Sequence, residues 1–286
     1  MSKISEADLI INPDGSIYHL NIKPEDVADI IITVGDPDRV SEVSKYFDSI
    51  ELKKGKREFH THTGYIGKKR VTVLSTGIGT DNIDIVFNEL DALVNIDFDT
   101  RTIKSVLKSL NIIRVGTSGS IREDIPVGSI LASTHGLGLD ALMSYYETDI
   151  SIEDRFLLQK ITAHLPTLKS IPYLTSGSGK LLEQIGFDMP KGITATAPGF
   201  YAPQGRIMRA KNLIPNWIES LSSFELNHQK ITNLEMETAG IYALANALGH
   251  QALSINAILA QRIKLEFAKN PDQIVDKMIK TVLERI

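Results

Sequence analysis

The 286-residue chain contains no cysteine. This excludes disulfides, zinc thiolate sites and a cysteine nucleophile, and it fits the expectation of a cytoplasmic protein. No apolar run approaches the roughly 18 residues needed to span a bilayer, and the N-terminus lacks the basic start and apolar block of a secretory signal. The formal net charge of -4 offers no general attraction to nucleic acid or acidic membranes. We therefore expect neither class of partner.

Apolar residues make up 42% of the chain and charged residues 23%, which is typical of a globular protein. Short apolar runs that end in glycine alternate with segments of helical periodicity. Strands are predicted at 30–35, 111–116, 128–133 and 252–260, a strand pair within 57–75, and helices at 38–47, 81–94, 238–249 and 271–285. This alternation predicts one α/β domain over residues 1–286, with a mostly parallel or mixed sheet covered by helices.

Ligands of such sheets bind beyond the carboxyl ends of the strands, so chemistry is expected there. At "GDPDR", Gly35 offers an unobstructed backbone N–H and Arg39 a guanidinium. At "RVGTSG", Arg114 lies within an apolar strand, where it is costly unless paired, and Thr117 follows in the turn. Two arginines, a hydroxyl and glycine amides can cradle a phosphate. Alternatively, Arg39 lies on a helix surface and Arg114 pairs with a core carboxylate.

Two further segments carry polar groups with alternative interpretations. In "NLEMETAG", Glu235 and Glu237 are two residues apart, so an extended segment turns both the same way, where sugar hydroxyls could be their donors. One of them could instead cap the following helix. In "GFYAPQGR", Phe200 can stack on a planar base, while Gln204 and Arg206 can contact the edge of that base. The alternative for this segment is an ordinary polar loop.

Other motifs carry less weight. "SGSGKLL" (176–182) has the Gly-Lys of a nucleotide P-loop but lacks the hydroxyl residue that should follow, and "TGIGTDN" holds only part of a dinucleotide fingerprint. A basic cluster between residues 53 and 70 could suggest nucleic acid. A solvated hairpin face is the favoured interpretation of this cluster.

Taken in order, the fragments "YHL", "GDPDR", "REF", "STGIG", "RVGTSG", "FYxxQxR" and "EME" resemble the landmarks of the nucleoside phosphorylase family over about residues 17–265. Within the family they are most similar to the uridine phosphorylase branch. The resemblance implies a three-layer αβα fold, with a central twisted mixed β-sheet flanked by helices. It also implies phosphorolysis of uridine to uracil and ribose 1-phosphate in nucleoside salvage. A phosphorylase of broader or purine specificity and a catalytically silent nucleoside-binding homologue remain alternatives.

The resemblance implies roles for individual residues. The phosphate-binding positions are Gly35, Arg39, Arg57, Arg114 and Thr117, with Arg57 reaching the site of a neighbouring subunit. The ribose-binding positions are His19, Glu235, Met236 and Glu237, with His19 also crossing the dimer interface. The base-binding positions are Phe200, Gln204, Arg206 and Arg262. The catalytic set is Arg114, Gln204, Arg206 and Glu237.

The same resemblance implies partners and cofactors. The protein is expected to be a homo-oligomer, at least a dimer with shared active sites, and a hexamer built from three dimers is compatible with this. Nucleoside and inorganic phosphate are the expected substrates, with no metal and no organic cofactor. Bacterial members can hold a potassium ion between subunits. The matching positions are Glu58, Ile78 and Asn82, and the last differs from the usual serine, which makes this ion doubtful.

Two features set this chain apart from other members of the family. Purine-specific relatives commonly carry an aspartate after the late strand to protonate N7, whereas "ILAQRI" has Gln261 and Arg262 there. This favours a pyrimidine over a purine and argues against the adenine-releasing nucleosidases, which attack with water and need the same acid. The segments 94–110 and 180–198 are longer than the usual connections, so they could reshape the pocket or the subunit contacts.

Overall fold

The computed structural model describes residues 3–286, and this part of the chain divides into two compact units. The first unit consists of the described residues up to Ile113 together with Leu248–Gln251. The second unit consists of Arg114–Ala247 together with Ala252–Ile286. Among residues 3–286, no helix is long and apolar enough to cross a lipid bilayer. The prediction of a single domain over residues 1–286 stays a prediction.

The first unit is built around a small mixed sheet. Its elements are β1 (Ile30–Val34), α1 (Pro37–Ser44), β2 (Ser49–Lys56), β3 (Phe59–Ile66), β4 (Lys69–Ser75), α2 (Thr80–Asn95), β5 (Ile96–Asp97) and β6 (Thr102–Ile103). The strand order is β1-β4-β3-β2, with β1 parallel to β4 and β3 antiparallel to both of its neighbours. Strands β5 and β6 form a separate antiparallel pair.

Local sequence explains how this unit begins its strands and helices. β1 is a run of β-branched residues that is buried except at Ile30. α1 follows at once, because Pro37 takes the first helical position and the Asp36 carboxylate accepts the N–H of Asp38 at 3.0 Å. α2 carries apolar residues three and four apart, which gives it one buried face. The residues of this face include Ile83, Val86, Phe87, Leu90 and Leu93.

The second unit contains the longer strands. Its elements are β7 (Asn111–Ser120), β8 (Ile130–Gly138), α3 (Ile152–His164), β9 (Tyr173–Ser176), α4 (Gly179–Ile185), β10 (Lys191–Thr196), α5 (Trp217–Ser222), β11 (Glu225–Leu226), β12 (Gln229–Glu235), α6 (Thr238–Leu248), β13 (Gln251–Gln261), β14 (Glu266–Phe267) and α7 (Pro271–Arg285). The start of β7, the last residue of α6 and the first residue of β13 are assigned to the first unit. The strand order is β11-β12-β10-β8-β13-β7. β10 runs parallel to β8 and β12, whereas β13 runs antiparallel to β8.

The core of the second unit forms where α3 and α5 cover the sheet. Leu157 and Ile161 of α3 and Trp217 of α5 pack in one cluster with Leu137 of β8 and Leu234 of β12. α6 is buried from Thr238 through Ala245, as its alanine-rich sequence allows. The helix stops before Gly249, whose φ of 77° favours glycine. These packed elements hold the carboxyl ends of β10 and β12 in place.

The predicted fold class, an α/β protein with a large mixed sheet flanked by helices, is confirmed. The predicted strands at 30–35, 111–116, 128–133 and 252–260 correspond to β1, β7, β8 and β13, and the turn between β3 and β4 contains Gly67. Segment 180–198, predicted to be longer than the usual connection, forms most of α4 and all of β10, and the prediction about its length stays a prediction. Segment 94–110 contains the end of α2 and the β5–β6 pair.

Candidate active site

The most buried charges of the second unit meet beside β7. Arg114 is only 5% exposed, and its guanidinium folds back over Gly116 on the same strand. A Cβ placed on Gly116 would lie 1.8 Å from Nη1 of Arg114. No real side chain tolerates that distance, so the missing side chain at position 116 is what makes room for the arginine.

Two carboxylates neutralise this arginine. Nη2 of Arg114 donates to Oε2 of Glu237 at 2.5 Å and lies 3.1 Å from Oε2 of Glu235. Both glutamates are buried. Burial by itself would lower the pKa of Arg114, but the charges of Glu235 and Glu237 outweigh burial and raise the pKa above its ordinary value. The arginine therefore stays charged. In this structure Arg114 pairs with core carboxylates, which was the alternative to phosphate binding in the sequence analysis.

The two glutamates have different surroundings. The Glu235 carboxylate accepts the backbone N–H groups of Glu237 and Thr238, each at 2.9 Å, and the hydroxyl of Thr196 at 2.6 Å. It thereby caps the first turn of α6, as one of the alternatives for this pair proposed. Glu237 makes the shorter contact with Arg114, and Met236 between them is half-buried. Glu237 is thus the better placed of the two to exchange its arginine contact for a ligand hydroxyl.

A second cluster lies in and around the 3-10 turn at Ala202–Gln204. Nη1 of Arg206 donates to Oε1 of Gln204 at 2.8 Å and to the carbonyl of Phe200 at 2.6 Å. The guanidinium of Arg206 also stacks 3.6 Å from the centre of the Phe200 ring. Nη1 of Arg262 donates to the carbonyl of Gln204 at 2.9 Å. All four residues predicted to bind the base are therefore together.

Neighbouring residues stabilise the turn that carries this cluster and lower the pKa of Arg206. Gly205 has a φ of 68°, and a Cβ there would lie 2.9 Å from Cγ1 of Ile218, so the turn favours glycine. The indole N–H of Trp217 donates to the carbonyl of Pro203 at 2.9 Å. Burial, and then the nearby charge of Arg262, lower the pKa of Arg206 to about 10. Arg206 is still protonated near neutral pH and is poorly compensated, which suits a group that meets a developing anion.

Gln261 lies in the segment "ILAQRI" at the end of β13, where an acid was expected for a purine-specific enzyme. Its Oε1 accepts the backbone N–H groups of Ile263 at 2.7 Å and Lys264 at 2.8 Å, and its Nε2 donates to the carbonyl of Arg122 at 3.0 Å. The side chain is 1% exposed. Both ends of this amide are used within the protein, so it shapes the turn after β13 and has no proton to give.

The contacts of the other residues predicted to bind phosphate do not by themselves indicate a phosphate site. Gly35 follows β1, and a Cβ on it would lie 3.5 Å from the carbonyl of Gly77. Arg39 lies in the first turn of α1 and is half-buried. Its backbone N–H donates to the carbonyl of Asp36 at 3.1 Å. Thr117 of β7 is half-buried. Their roles in phosphate binding stay predictions.

The residues predicted to reach a neighbouring subunit lie in the first unit. Arg57 is exposed at the turn between β2 and β3, with a left-handed φ of 57°. His19 is half-buried, and its Nδ1 lies 2.6 Å from Oε1 of Glu89. The Glu89 carboxylate also accepts the backbone N–H groups of His19 and Leu20. These contacts fix the His19 ring, and its role towards a second copy stays a prediction.

The potassium positions lie around the left-handed Gly77. A Cβ on Gly77 would lie 2.4 Å from Nδ2 of Asn82 and 3.0 Å from Cγ of Glu58, and Ile78 is 66% exposed. In the part of the chain that the structure describes, there is no group of three or more His, Asp or Glu side chains that could hold a metal ion. The expectation of no metal at this corner stays a prediction.

Comparison with known proteins identifies the family. The sequence profile of the Phosphorylase superfamily matches residues 29–285. The chain belongs to this superfamily. The family resemblance carried by the motifs from "YHL" to "EME" is thereby confirmed.

Individual members of the superfamily match along nearly the whole chain. Uridine phosphorylase of Thermococcus kodakarensis is 30% identical over 269 residues, which are 94% of this chain and 86% of that protein. A DeoD-type purine nucleoside phosphorylase of Buchnera aphidicola is 26% identical over 274 residues, 95% of this chain and 99% of that protein. The solved structure of a Trypanosoma brucei nucleoside phosphorylase with uridine phosphorylase activity has a TM-score of 0.89 at 31% identity, covering 97% of this chain and 99% of that one.

For this member of the Phosphorylase superfamily, sequence reasoning overlooked several residues around Arg114. Asn256 accepts from Nη1 of Arg114 at 3.2 Å, Thr196 bonds Glu235, and Gly116 accommodates the guanidinium. A signal existed for one of them, because an asparagine in the apolar run "ALSINAILA" needs buried partners just as an arginine in a strand does. Nothing in the sequence singled out Thr196, and Gly116 was noted only as a possible amide donor to phosphate.

Proposed function

We propose that the protein catalyses the phosphorolysis of uridine, with inorganic phosphate as co-substrate and uracil and ribose 1-phosphate as products. Support comes from relatives about 30% identical, one named uridine phosphorylase and one with uridine phosphorylase activity. The observation that carries the choice of base is the cluster of Gln204, Arg206 and Arg262, combined with a Gln261 that is fully bonded internally. A uracil ring has edges for an amide and a guanidinium, whereas a purine leaving group calls for an acid at N7.

The reaction needs charge stabilisation more than acid–base chemistry. An oxygen of phosphate forms a bond to C1′ while the bond from C1′ to the base nitrogen breaks, and the base leaves with the electron pair. The sugar becomes oxocarbenium-like and the uracil becomes anionic. Preorganised charges at both ends of this process supply most of what a catalyst must add.

Arg206 is the group proposed to meet the departing base. Its guanidinium is half-buried beside the Phe200 ring, where a developing negative charge interacts with it more strongly than in water. Gln204 would hold the base edge, and Arg262 supports Gln204 through the carbonyl of that residue. The uracil anion would then leave as a base already paired with a cation, and it takes its proton from solvent.

Arg114 and Glu237 are the groups proposed to hold phosphate and ribose. Arg114 has donors left after its bonds to Glu237 and Asn256, because a guanidinium carries five N–H groups. Glu237 would accept hydrogen bonds from the sugar hydroxyls, with Glu235 and Met236 completing the ribose segment. Thr117 is proposed to bind phosphate together with Gly35, Arg39 and, from another copy of the chain, Arg57.

The decisive experiment measures uracil release from uridine with and without inorganic phosphate, by the change in ultraviolet absorbance. Release that depends on phosphate is the expected result. Release without phosphate would mean hydrolysis, and no release from uridine would contradict the proposal. A panel of deoxyuridine, thymidine and inosine at constant phosphate then tests the specificity, with inosine expected to be the poorest substrate.

We further propose that the protein is a homo-oligomer. It is at least a dimer, and a hexamer of three dimers is compatible with this. We also propose that it works in nucleoside salvage in the cytoplasm. Arg57→Ala should impair phosphate use while leaving the chain folded, because Arg57 is exposed on a hairpin turn. Mixing this variant with Arg206→Ala should restore part of the activity, since one site of each mixed pair would then have both arginines. Absence of recovery despite confirmed subunit exchange would contradict shared sites.

A further inference from the structure

Asn256 is an amide in the middle of an apolar strand. It lies on β13 in the run "ALSINAILA", and it is 0% exposed. A buried amide must satisfy its donors and its acceptor within the protein. The partners it has therefore define its role.

The hydrogen bonds of Asn256 leave one orientation for its amide. Nδ2 donates to the hydroxyl of Ser133 at 3.1 Å and to the hydroxyl of Ser254 at 3.2 Å. Oδ1 accepts from Nη1 of Arg114 at 3.2 Å. A flipped amide would turn two N–H donors towards a cation, so the carbonyl oxygen must face the arginine.

We propose that Asn256 is a positioning residue for Arg114, which sets the guanidinium for phosphate without adding charge. The proposal rests on the proposed function, in which Arg114 binds phosphate. Asn256 fixes Nη1, the two glutamates fix Nη2, and Gly116 leaves room for the guanidinium. The arginine is thus held in place before any ligand arrives.

Charge explains why an amide suits this position. Arg114 carries one positive charge and faces two carboxylates, Glu235 and Glu237, which leaves one negative charge around the guanidinium. A third carboxylate at position 256 would repel a phosphate dianion. A hydrocarbon side chain would leave Nη1 without this acceptor, and a buried donor without a partner is destabilising.

Asn233 provides a matched control in the same unit. It is also 0% exposed, and the hydroxyl of Thr194 links it to Ser133 in the polar network that includes Asn256. Its own bonds go to Thr194, Thr232 and Ser118, and none of them involves Arg114. Asn256→Asp and Asn233→Asp therefore add a carboxyl group to the same polar network. Only the group at position 256 contacts Arg114.

The test compares four variants: Asn256→Asp, Asn256→Ala, Asn233→Asp and Asn233→Ala. The dissociation constant for inorganic phosphate is measured from phosphate-dependent thermal stabilisation, which needs no turnover, and KM for phosphate and for uridine are measured beside it. Asn256→Asp should weaken phosphate binding about tenfold or more, with KM for uridine within about twofold of the wild type. Asn233→Asp should change phosphate binding by no more than about threefold, because its charge does not touch Arg114.

The outcomes separate the inference from the proposed function. Absence of phosphate-dependent uracil release by the wild type would remove the proposed function. An active wild type in which Asn256→Asp and Asn233→Asp weaken phosphate binding equally would overturn the inference alone. Equal losses for phosphate and uridine would also overturn it, since they would mean general damage. The isosteric Asn256→Asp still decides if Asn256→Ala does not fold.

Discussion

Gly116→Ala tests how Arg114 is held, because the added methyl group would occupy the space of the guanidinium. The new Cβ would lie 1.8 Å from Nη1, 2.3 Å from Cζ and 2.8 Å from Nη2 of Arg114. The φ of Gly116 is not in the left-handed region, so alanine suits the backbone itself. The whole effect should therefore act through displacement of the arginine.

The magnitude follows from the contacts that Arg114 would give up. These are the bonds to Glu237 at 2.5 Å, Glu235 at 3.1 Å and Asn256 at 3.2 Å. Separating a buried charge from its partner costs about 3–5 kcal/mol. Replacing glycine by alanine returns about 0.4–1 kcal/mol by restricting the unfolded chain. We expect Gly116→Ala to lower the free energy of unfolding by about 2–4.6 kcal/mol.

Urea denaturation of a double-mutant cycle measures this effect. If the methyl group acts through the arginine, adding Gly116→Ala to Arg114→Ala should cost almost nothing further. Gly119→Ala on the same strand is the control, because its Cβ would meet Cγ of Arg262 at an ordinary 3.4 Å, and it should change stability by less than about 1 kcal/mol. Additive losses in the cycle, or equal losses at the two glycines, would refute this reasoning.

Two other substitutions test the base and ribose clusters. Arg206→Ala should raise the activation barrier to uridine turnover by about 2–4 kcal/mol, because the departing uracil loses its cation. The change is measured as a fall in kcat. Unchanged kinetics would remove Arg206 from the site. Thr196→Val should cost about 1–3 kcal/mol of stability in urea denaturation, because Glu235 and the N–H of Ala239 lose the hydroxyl. Thr33→Val is its control, since the buried Thr33 hydroxyl has no hydrogen-bond partner among residues 3–286, and equal losses at both sites would contradict the role of Thr196.

The sequence predicted elements best where side-chain pattern and chain punctuation agree. The β-branched run of β1 ends at Gly35, and the apolar spacing of α2 and the glycine after α6 fixed those helices. β10 was missed because "KGITAT" has one large apolar residue, Ile193, although the strand is buried from Gly192 onwards. Its threonines are accommodated by hydrogen bonds to other strands, which no local pattern reveals.

The site residues show the same division. Local motifs identified Arg114 and Glu237, but the sequence could not decide between a ligand and a core carboxylate as the partner of the arginine. The structure pairs the two residues with each other. Glu235 was likewise left open between sugar and helix cap, and its bonds to the start of α6 depend on where that helix begins. Contacts between distant strands, such as Arg114 with Asn256, lie beyond any local pattern.

The measurement closest to the central claim follows phosphorus directly. Uridine and inorganic phosphate are incubated with the protein, and phosphorus NMR records whether phosphate becomes a sugar 1-phosphate ester. The account predicts one equivalent of ribose 1-phosphate for each uracil formed, and formation about 30- to 900-fold slower with Arg206→Ala. Uracil accompanied by free ribose, with the phosphate signal unchanged, would contradict it.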